Sequence, residues 1–122
     1  MARPMHFEIP VDDPDRAEKF YAAVFGWSFN RYEGAPQYYG MATTGDDGRP
    51  GINGALVKRG ADSETSLTME ADSIEAATAD VVANGGTVIQ GKTPIPHMGW
   101  FATSADTEGN KFGLFTNDPN AA

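Results

Sequence analysis

The chain has 122 residues, a formal net charge of −8 and no cysteine. The length suits one domain. The lack of cysteine excludes disulfides, thiolate metal ligands and cysteine nucleophiles. It also fits a reducing cytoplasm, where we expect the protein to be. Because the acidic charge repels phosphate backbones, nucleic acid is not an expected partner. We also expect no membrane partner, since no run approaches about 20 apolar residues, and no signal peptide, since a strand pattern follows the N-terminus directly.

The first half predicts one strand, one helix and three further strands. In residues 5–11 an apolar row alternates with a polar row that contains His6 and Glu8, as in a strand with two different faces. Asp13 is a suitable N-cap, and Pro14 suits the first position of a helix that Gly26 would end. Strands follow at 27–33, 37–44 and 52–59. The helix should bury a single apolar stripe, made of Ala17, Phe20, Tyr21 and Val24.

The second half predicts the same order of elements after a polar linker at 60–65. A strand at 66–71 has an apolar face and a polar face, the latter made of Ser66, Thr68 and Glu70. Asp72 or Ser73 would cap the next helix, which ends at the glycines of 84–86. Strands at 87–93, 100–105 and 111–117 follow, and residues 117–122 should be a frayed tail. The buried side of this helix should be Ile74, Ala77, Thr78 and Val81.

The two halves align at a spacing of 60 residues. Between residues 12–27 and 72–87 the identical pairs are Asp12/Asp72, Ala17/Ala77, Ala23/Ala83 and Gly26/Gly86. A repeat of this size predicts one domain made of two copies of a single supersecondary unit. The apolar strand faces would pack on the helices, and the polar rows of the two first strands would face a shared cup.

The chain resembles the vicinal oxygen chelate superfamily, which groups lactoylglutathione lyases, extradiol dioxygenases and bleomycin-resistance proteins. It is most similar to the branch related to lactoylglutathione lyase. The resemblance implies an α+β fold of two tandem βαβββ modules that form a curved mixed sheet with a central cup and the helices outside. It implies one domain over 1–122, with modules at about 5–59 and 66–117, and a homodimer. The matching segments are 6–14, 20–21, 24–27, 51–54, 83–88, 99–102 and 108–114.

The same resemblance implies a metal site with ligands on four strands, but this sequence departs from it. His6 stands at the first position, whereas Asn53 or Gly54, Ser66 and Gly113 stand at the other three. One strong donor of four is too few to hold a catalytic metal. We therefore expect no metal cofactor. If a divalent ion such as iron, manganese, nickel or zinc does bind, the expected ligands are His6, Glu8 and Glu70.

Two functions remain open at this point. One is binding of a small cationic or aromatic molecule in the cup, without the usual metal. The alternative is an enzyme, either a metal-dependent lyase, isomerase or dioxygenase acting on vicinal oxygens, or a metal-free one with His6 and Glu8 as catalytic residues. A purely structural role for a dimer surface has no feature in its favour. The expected ligand-binding residues are Tyr39, Asn53, Ser66, Thr68, Glu70, His97, Trp100 and Gly113.

Overall fold

The computed structural model describes residues 2–122, and over these residues the chain has an α+β fold in which the order βαβββ occurs twice, as predicted. The elements of the first module are β1 (Pro4–Val11), α1 (Pro14–Phe25), β2 (Ser28–Arg31), β3 (Tyr39–Thr43) and β4 (Asn53–Lys58). Those of the second are β5 (Ser66–Glu70), α2 (Ile74–Ala83), β6 (Thr87–Ile95), β7 (Gly99–Ala105) and β8 (Lys111–Asn117). The chain divides into an N-terminal unit, His6–Thr65, and a C-terminal unit, Ser66–Ala122 together with the residues up to Met5.

Each unit is built on a mixed sheet with the same pairing. In the N-terminal unit β1 runs parallel to β4, and β3 lies antiparallel between β4 and β2. In the C-terminal unit β5 runs parallel to β8, and β7 lies antiparallel between β8 and β6. The equal pairing confirms that the repeat in the sequence is a repeat of structure.

Helix α1 begins and ends as predicted but is rotated relative to the expected apolar stripe. The Asp13 side chain accepts a hydrogen bond from the Arg16 backbone N–H, and Gly26 ends the helix with a left-handed φ of 75°. Phe20 and Val24, both expected on the buried stripe, are each 55% exposed. The reason is Glu18, which faces the sheet and accepts hydrogen bonds from Arg31 and Tyr38.

An aromatic stack supports α1 on the sheet. The ring of Tyr21 stacks on Trp27 at 4.9 Å between centroids, and Trp27 in turn contacts the ring of Phe7 on β1 at 5.4 Å. Such aromatic pairs add stabilisation beyond the area they bury. Phe7 therefore belongs to the face of β1 that packs toward the helix, and His6 and Glu8 to the opposite face.

Helix α2 covers the core of the C-terminal unit. Of the two caps considered, Ser73 is the one used: its hydroxyl accepts a hydrogen bond from the Ala76 backbone N–H at 3.2 Å. The buried core beneath the helix consists of Ala71, Ile74, Ala102 and Leu114, and the expected Ala77 and Val81 pack against it. Among the described residues, no helix has the length and apolar character needed to cross a bilayer.

The expectation of a frayed C-terminal tail is wrong. Ala121 is 0% exposed, and its carbonyl accepts a hydrogen bond from the His97 backbone N–H at 2.9 Å. Asp118 donates its backbone N–H to the Met98 carbonyl at 3.0 Å and accepts a hydrogen bond from the Trp100 indole. These bonds fix the last residues to the turn between β6 and β7.

Candidate functional site

The polar face of the N-terminal unit brings together three of the residues singled out in the sequence: His6, Glu8 and Tyr39. The Tyr39 hydroxyl donates to Glu8 Oε2 at 2.8 Å and lies 2.8 Å from His6 Nε2. The His6 and Tyr39 rings are parallel within 4°, and the side chains of His6 and Glu8 are 26% and 36% exposed. We call this set the His6–Tyr39–Glu8 cluster.

The pairing of the strands explains how a residue of β3 reaches β1. Tyr39 lies beside Val57 on β4, and Glu8 lies beside Ala55 on the same strand, so the tyrosine must cross β4 to reach the carboxylate. Ala55 is 0% exposed and carries only a methyl group. The small side chain leaves space above β4 for the phenol to span two strand spacings.

The direction of the hydrogen bonds in the cluster follows from the number of protons. A phenol has one proton, and Tyr39 donates it to Glu8. The contact to His6 therefore requires that Nε2 carries a proton and donates it to the tyrosine oxygen. In this tautomer Nε2 has no lone pair with which to bind a metal, and Nδ1 is the nitrogen that is left.

Electrostatics stabilise this arrangement. Burial raises the pKa of Glu8, but the nearby His6 ring, the hydrogen bond from Tyr39 and the positive charge of His6 when it is protonated lower it by more, so the pKa lies below its usual value. Burial, with the charge and the hydrogen bond of Glu8, raises the pKa of Tyr39. Glu8 is thus an ionised acceptor near neutral pH, and Tyr39 is a protonated donor.

Asn53 lies on the same face of this unit, one strand away from the cluster. It pairs with His6 in the parallel register of β1 and β4, whereas Gly54 pairs with Phe7. Its Oδ1 accepts a hydrogen bond from the Thr44 backbone N–H at 2.9 Å. The amide oxygen is therefore already used to fix the turn before β4.

Three predicted residues lie on β5 and β8 of the C-terminal unit: Ser66, Thr68 and Gly113. Thr68 and Gly113 are direct partners in the parallel pair. A Cβ on Gly113 would lie 2.7 Å from Thr68 Oγ1, which is closer than real Cβ contacts come. A larger residue at this position would therefore displace the threonine side chain beside it.

Glu70 and His97 line one cavity of about 640 Å³ in the C-terminal unit, at the ends of β5 and β8. The same cavity is lined by Met5, Asp72 and Met98, which were not expected at a site. Asp72 was interpreted only as a helix cap, although the repeat aligns it with Asp12. The backbone of His97 is left-handed, with φ 66°, which is uncommon for a residue with a side chain.

Trp100 lies elsewhere, against the core beneath α2. Its indole N–H donates to Asp118 Oδ2 at 3.0 Å, and Lys92 Nζ lies 4.5 Å above its ring. The tryptophan lines a smaller cavity of about 280 Å³ with Lys92 and Asp118. The structure does not bring Trp100 together with Glu70 and His97 in the larger cavity.

Comparisons with known proteins agree with this fold. Residues 3–43 match the family described as "Bleomycin resistance protein-like N-terminal". A glyoxylase-like domain-containing protein of Didymella fabae is 30% identical over 118 residues, which cover 89% of each chain. "Putative glyoxylase CFP32" of Mycobacterium tuberculosis is 31% identical over 115 residues. That alignment covers 92% of this chain but 43% of the relative, so the chain spans less than half of the longer protein.

A solved structure shows the same fold at low identity. Methylmalonyl-CoA epimerase of Streptomyces coelicolor superposes with a TM-score of 0.70 at 19% identity, over 100% of this chain and 99% of that one. The two βαβββ modules and these alignments identify the class of protein to which the chain belongs. The chain belongs to the vicinal oxygen chelate superfamily of glyoxalases and bleomycin-resistance proteins. Within it, the chain is similar to glyoxylase-like domain proteins.

The residues present do not fit the metal site that this superfamily implies. His6 donates its Nε2 proton within the cluster, Asn53 Oδ1 is bonded to Thr44, and Gly113 has no donor atom. Within residues 2–122 no three histidine or acidic side chains are grouped so that they could hold a metal ion. His6 and Glu8 supply two candidate donors in the N-terminal unit, while Glu70 belongs to the C-terminal unit.

Proposed function

We propose that the protein binds a small molecule on the polar face of its N-terminal unit, around the His6–Tyr39–Glu8 cluster, and that it does so without a metal. The observation that carries the proposal is that one tyrosine hydroxyl contacts both His6 Nε2 and Glu8 Oε2, each at 2.8 Å. The resemblance places His6 at a position that holds a metal ligand in metal-dependent members of the superfamily. Here its Nε2 is engaged by the Tyr39 hydroxyl.

The chemistry of the cluster favours a cationic or aromatic ligand. Glu8 is half-buried and ionised, and its ion-pair partner is His6, whose Nε2 lies 3.7 Å from Glu8 Oε2. Among the described residues, no lysine or arginine forms an ion pair with Glu8. Such a carboxylate attracts positive charge, and the net charge of −8 adds to that attraction. Tyr32 contacts the Tyr39 ring edge to face at 6.5 Å and is 38% exposed, which offers aromatic surface beside the carboxylate.

The cluster suits binding better than proton abstraction by Glu8. A general base works best when its pKa lies near the operating pH, whereas the pKa of Glu8 lies below its usual value.

The proposal includes a cytoplasmic location, which the lack of cysteine supports, and the homodimer that the superfamily implies.

The alternative is a metal-dependent lyase, isomerase or dioxygenase acting on a substrate with vicinal oxygens. Its support is the name of the relatives, which are described as glyoxylases. A divalent metal would supply Lewis-acid stabilisation of an enolate in such an enzyme. It would need Nδ1 of His6, or a rearrangement that frees Nε2 from Tyr39.

The test of the proposal is a ligand screen read by NMR. Quaternary ammonium and aromatic compounds are titrated into protein labelled at the methionine methyl groups, because Met41 lies on β3 two residues after Tyr39 and is 41% exposed. A true ligand shifts the Met41 signal saturably. Glu8→Gln should weaken a cationic ligand by about fivefold, whereas Glu33→Gln, which removes an exposed charge of the same unit, should not. If no compound shifts Met41, the proposal is wrong.

A further inference from the structure

The cavity of about 640 Å³ in the C-terminal unit shares no residue with the His6–Tyr39–Glu8 cluster. The cavity is open to solvent, since Glu70, Asp72 and His97 are exposed, and its volume lies within the range of about 300–1,000 Å³ that is usual for small-molecule sites. Two of the side chains that line it are carboxylates, Glu70 and Asp72, and one is the imidazole of His97. Three residues with apolar side chains, Met5, Met98 and Phe115, also line the cavity.

The two carboxylates have no ion-pair partner within 4 Å among residues 2–122. The basic residues nearby are Arg3, whose carbonyl accepts a hydrogen bond from the Glu70 N–H, and Lys92, which is paired with Glu75. Two carboxylates that line the same cavity attract a cation more strongly than one carboxylate does. The lining therefore favours a ligand with positive charge.

The apolar lining decides between an inorganic and an organic cation. Two carboxylates without a third oxygen or nitrogen donor form a poor site for a metal ion, which prefers several hard ligands. The thioethers of Met5 and Met98 and the ring of Phe115 instead offer polarisable surface, which contacts alkyl groups and attracts ammonium cations. This combination matches an alkylated amine or a quaternary ammonium group.

The walls of the cavity are fixed by backbone hydrogen bonds. The turn that carries His97 and Met98 is held by the Ala121 carbonyl and by the Asp118 N–H. On the other side, the Thr116 hydroxyl donates to the Ala71 carbonyl at 2.9 Å, next to Asp72. Because these bonds exist in the free protein, little ordering of the backbone is needed when a ligand binds.

We propose that this cavity is a second small-molecule site, which takes a small organic cation between Glu70 and Asp72 and against Met5, Met98 and Phe115. The site goes beyond the proposed function, because it shares no residue with the His6–Tyr39–Glu8 cluster. It also gives a function to Asp72, Met5 and Met98, which the sequence did not mark.

The probe is choline, with 3,3-dimethylbutanol as its neutral analogue of the same shape. Methionine methyl signals of the full chain are followed during each titration. We expect choline to shift Met5 and Met98 saturably, to leave Met69 of the adjacent core in place, and to bind more tightly than the neutral alcohol. Glu70→Gln and Asp72→Asn should each weaken choline by about fivefold. Asp47→Asn, which removes an exposed charge of the N-terminal unit, should leave its affinity unchanged.

Three results would overturn the inference: shifts of Met5 and Met98 that grow without saturation, equal affinity for choline and the neutral alcohol, or equal affinity of Glu70→Gln and the unaltered chain. A shift of Met41 reports on the N-terminal site instead. Each site can therefore fail while the other is upheld. Thermal unfolding of each variant shows that it is folded before its affinity is interpreted.

Discussion

Replacing Tyr39 by phenylalanine tests the cluster most directly within the folded protein. The substitution removes one oxygen atom and with it both hydrogen bonds of the cluster, each 2.8 Å long. The ring remains, so its parallel arrangement with His6 and its contact with Tyr32 remain as well. The change is thus confined to the polar contacts.

The cost follows from the number of bonds and from their exposure. Each net hydrogen bond in a folded protein contributes about 0.5–1.5 kcal/mol, and bonds to a charged group contribute more. His6 and Glu8 are 26% and 36% exposed, so water replaces part of what is lost. We therefore expect Tyr39→Phe to lower the free energy of unfolding by about 1–2 kcal/mol at neutral pH.

The assay is urea unfolding of Tyr39→Phe and of the matched control Tyr32→Phe, first at neutral pH and then in acid. The pKa of Glu8 is lower in the folded protein than in the unfolded chain, so the stability it contributes is present above the unfolded pKa and is lost as pH falls through the folded pKa. The difference between Tyr39→Phe and the unaltered chain should therefore shrink below a pH of about 4. Equal midpoints for Tyr39→Phe and Tyr32→Phe at neutral pH would refute the reasoning.

Two further substitutions test the packing of each unit. In the N-terminal unit, a Cβ on Gly54 would lie 2.5 Å from the Phe7 ring and from the Phe7 carbonyl oxygen. Gly54→Ala should therefore lower the free energy of unfolding by about 1–3 kcal/mol. The control is Gly48→Ala, which should leave the free energy of unfolding unchanged because a Cβ there would meet no atom within 4 Å. In the C-terminal unit, the Ser104 hydroxyl is 0% exposed and lacks a hydrogen-bond partner among the described residues. Ser104→Ala should therefore leave stability unchanged or raise it by about 1 kcal/mol, as measured by thermal unfolding, and a clear loss would show that the hydroxyl is bonded.

The elements that the sequence predicted correctly depend on local signals. Asp13, Pro14 and Gly26 mark the ends of α1, and these signals act within a few residues. Alternation along β1 separates His6 and Glu8 from Phe7, and the repeat transfers each assignment from one module to the other. The fold class was therefore accessible from patterns that need no knowledge of distant contacts.

The features that the sequence did not predict depend on contacts between distant residues. The rotation of α1 follows from Glu18, whose partners Arg31 and Tyr38 lie 13 and 20 residues away. The ordered tail follows from Ala121, whose small side chain gives no hydrophobic signal. The bridge made by Tyr39 depends on strand register, and without that register Tyr39 could be expected only as part of an aromatic lining.

The central claim is that the His6–Tyr39–Glu8 cluster serves metal-independent binding. The most direct measurement is the metal bound per chain after incubation with iron(II), manganese, nickel or zinc and desalting, with His6→Ala and His97→Ala in parallel. The account predicts that the unaltered chain retains no metal. Close to one metal per chain, lost in His6→Ala and kept in His97→Ala, would contradict it and indicate a metal-dependent lyase, isomerase or dioxygenase.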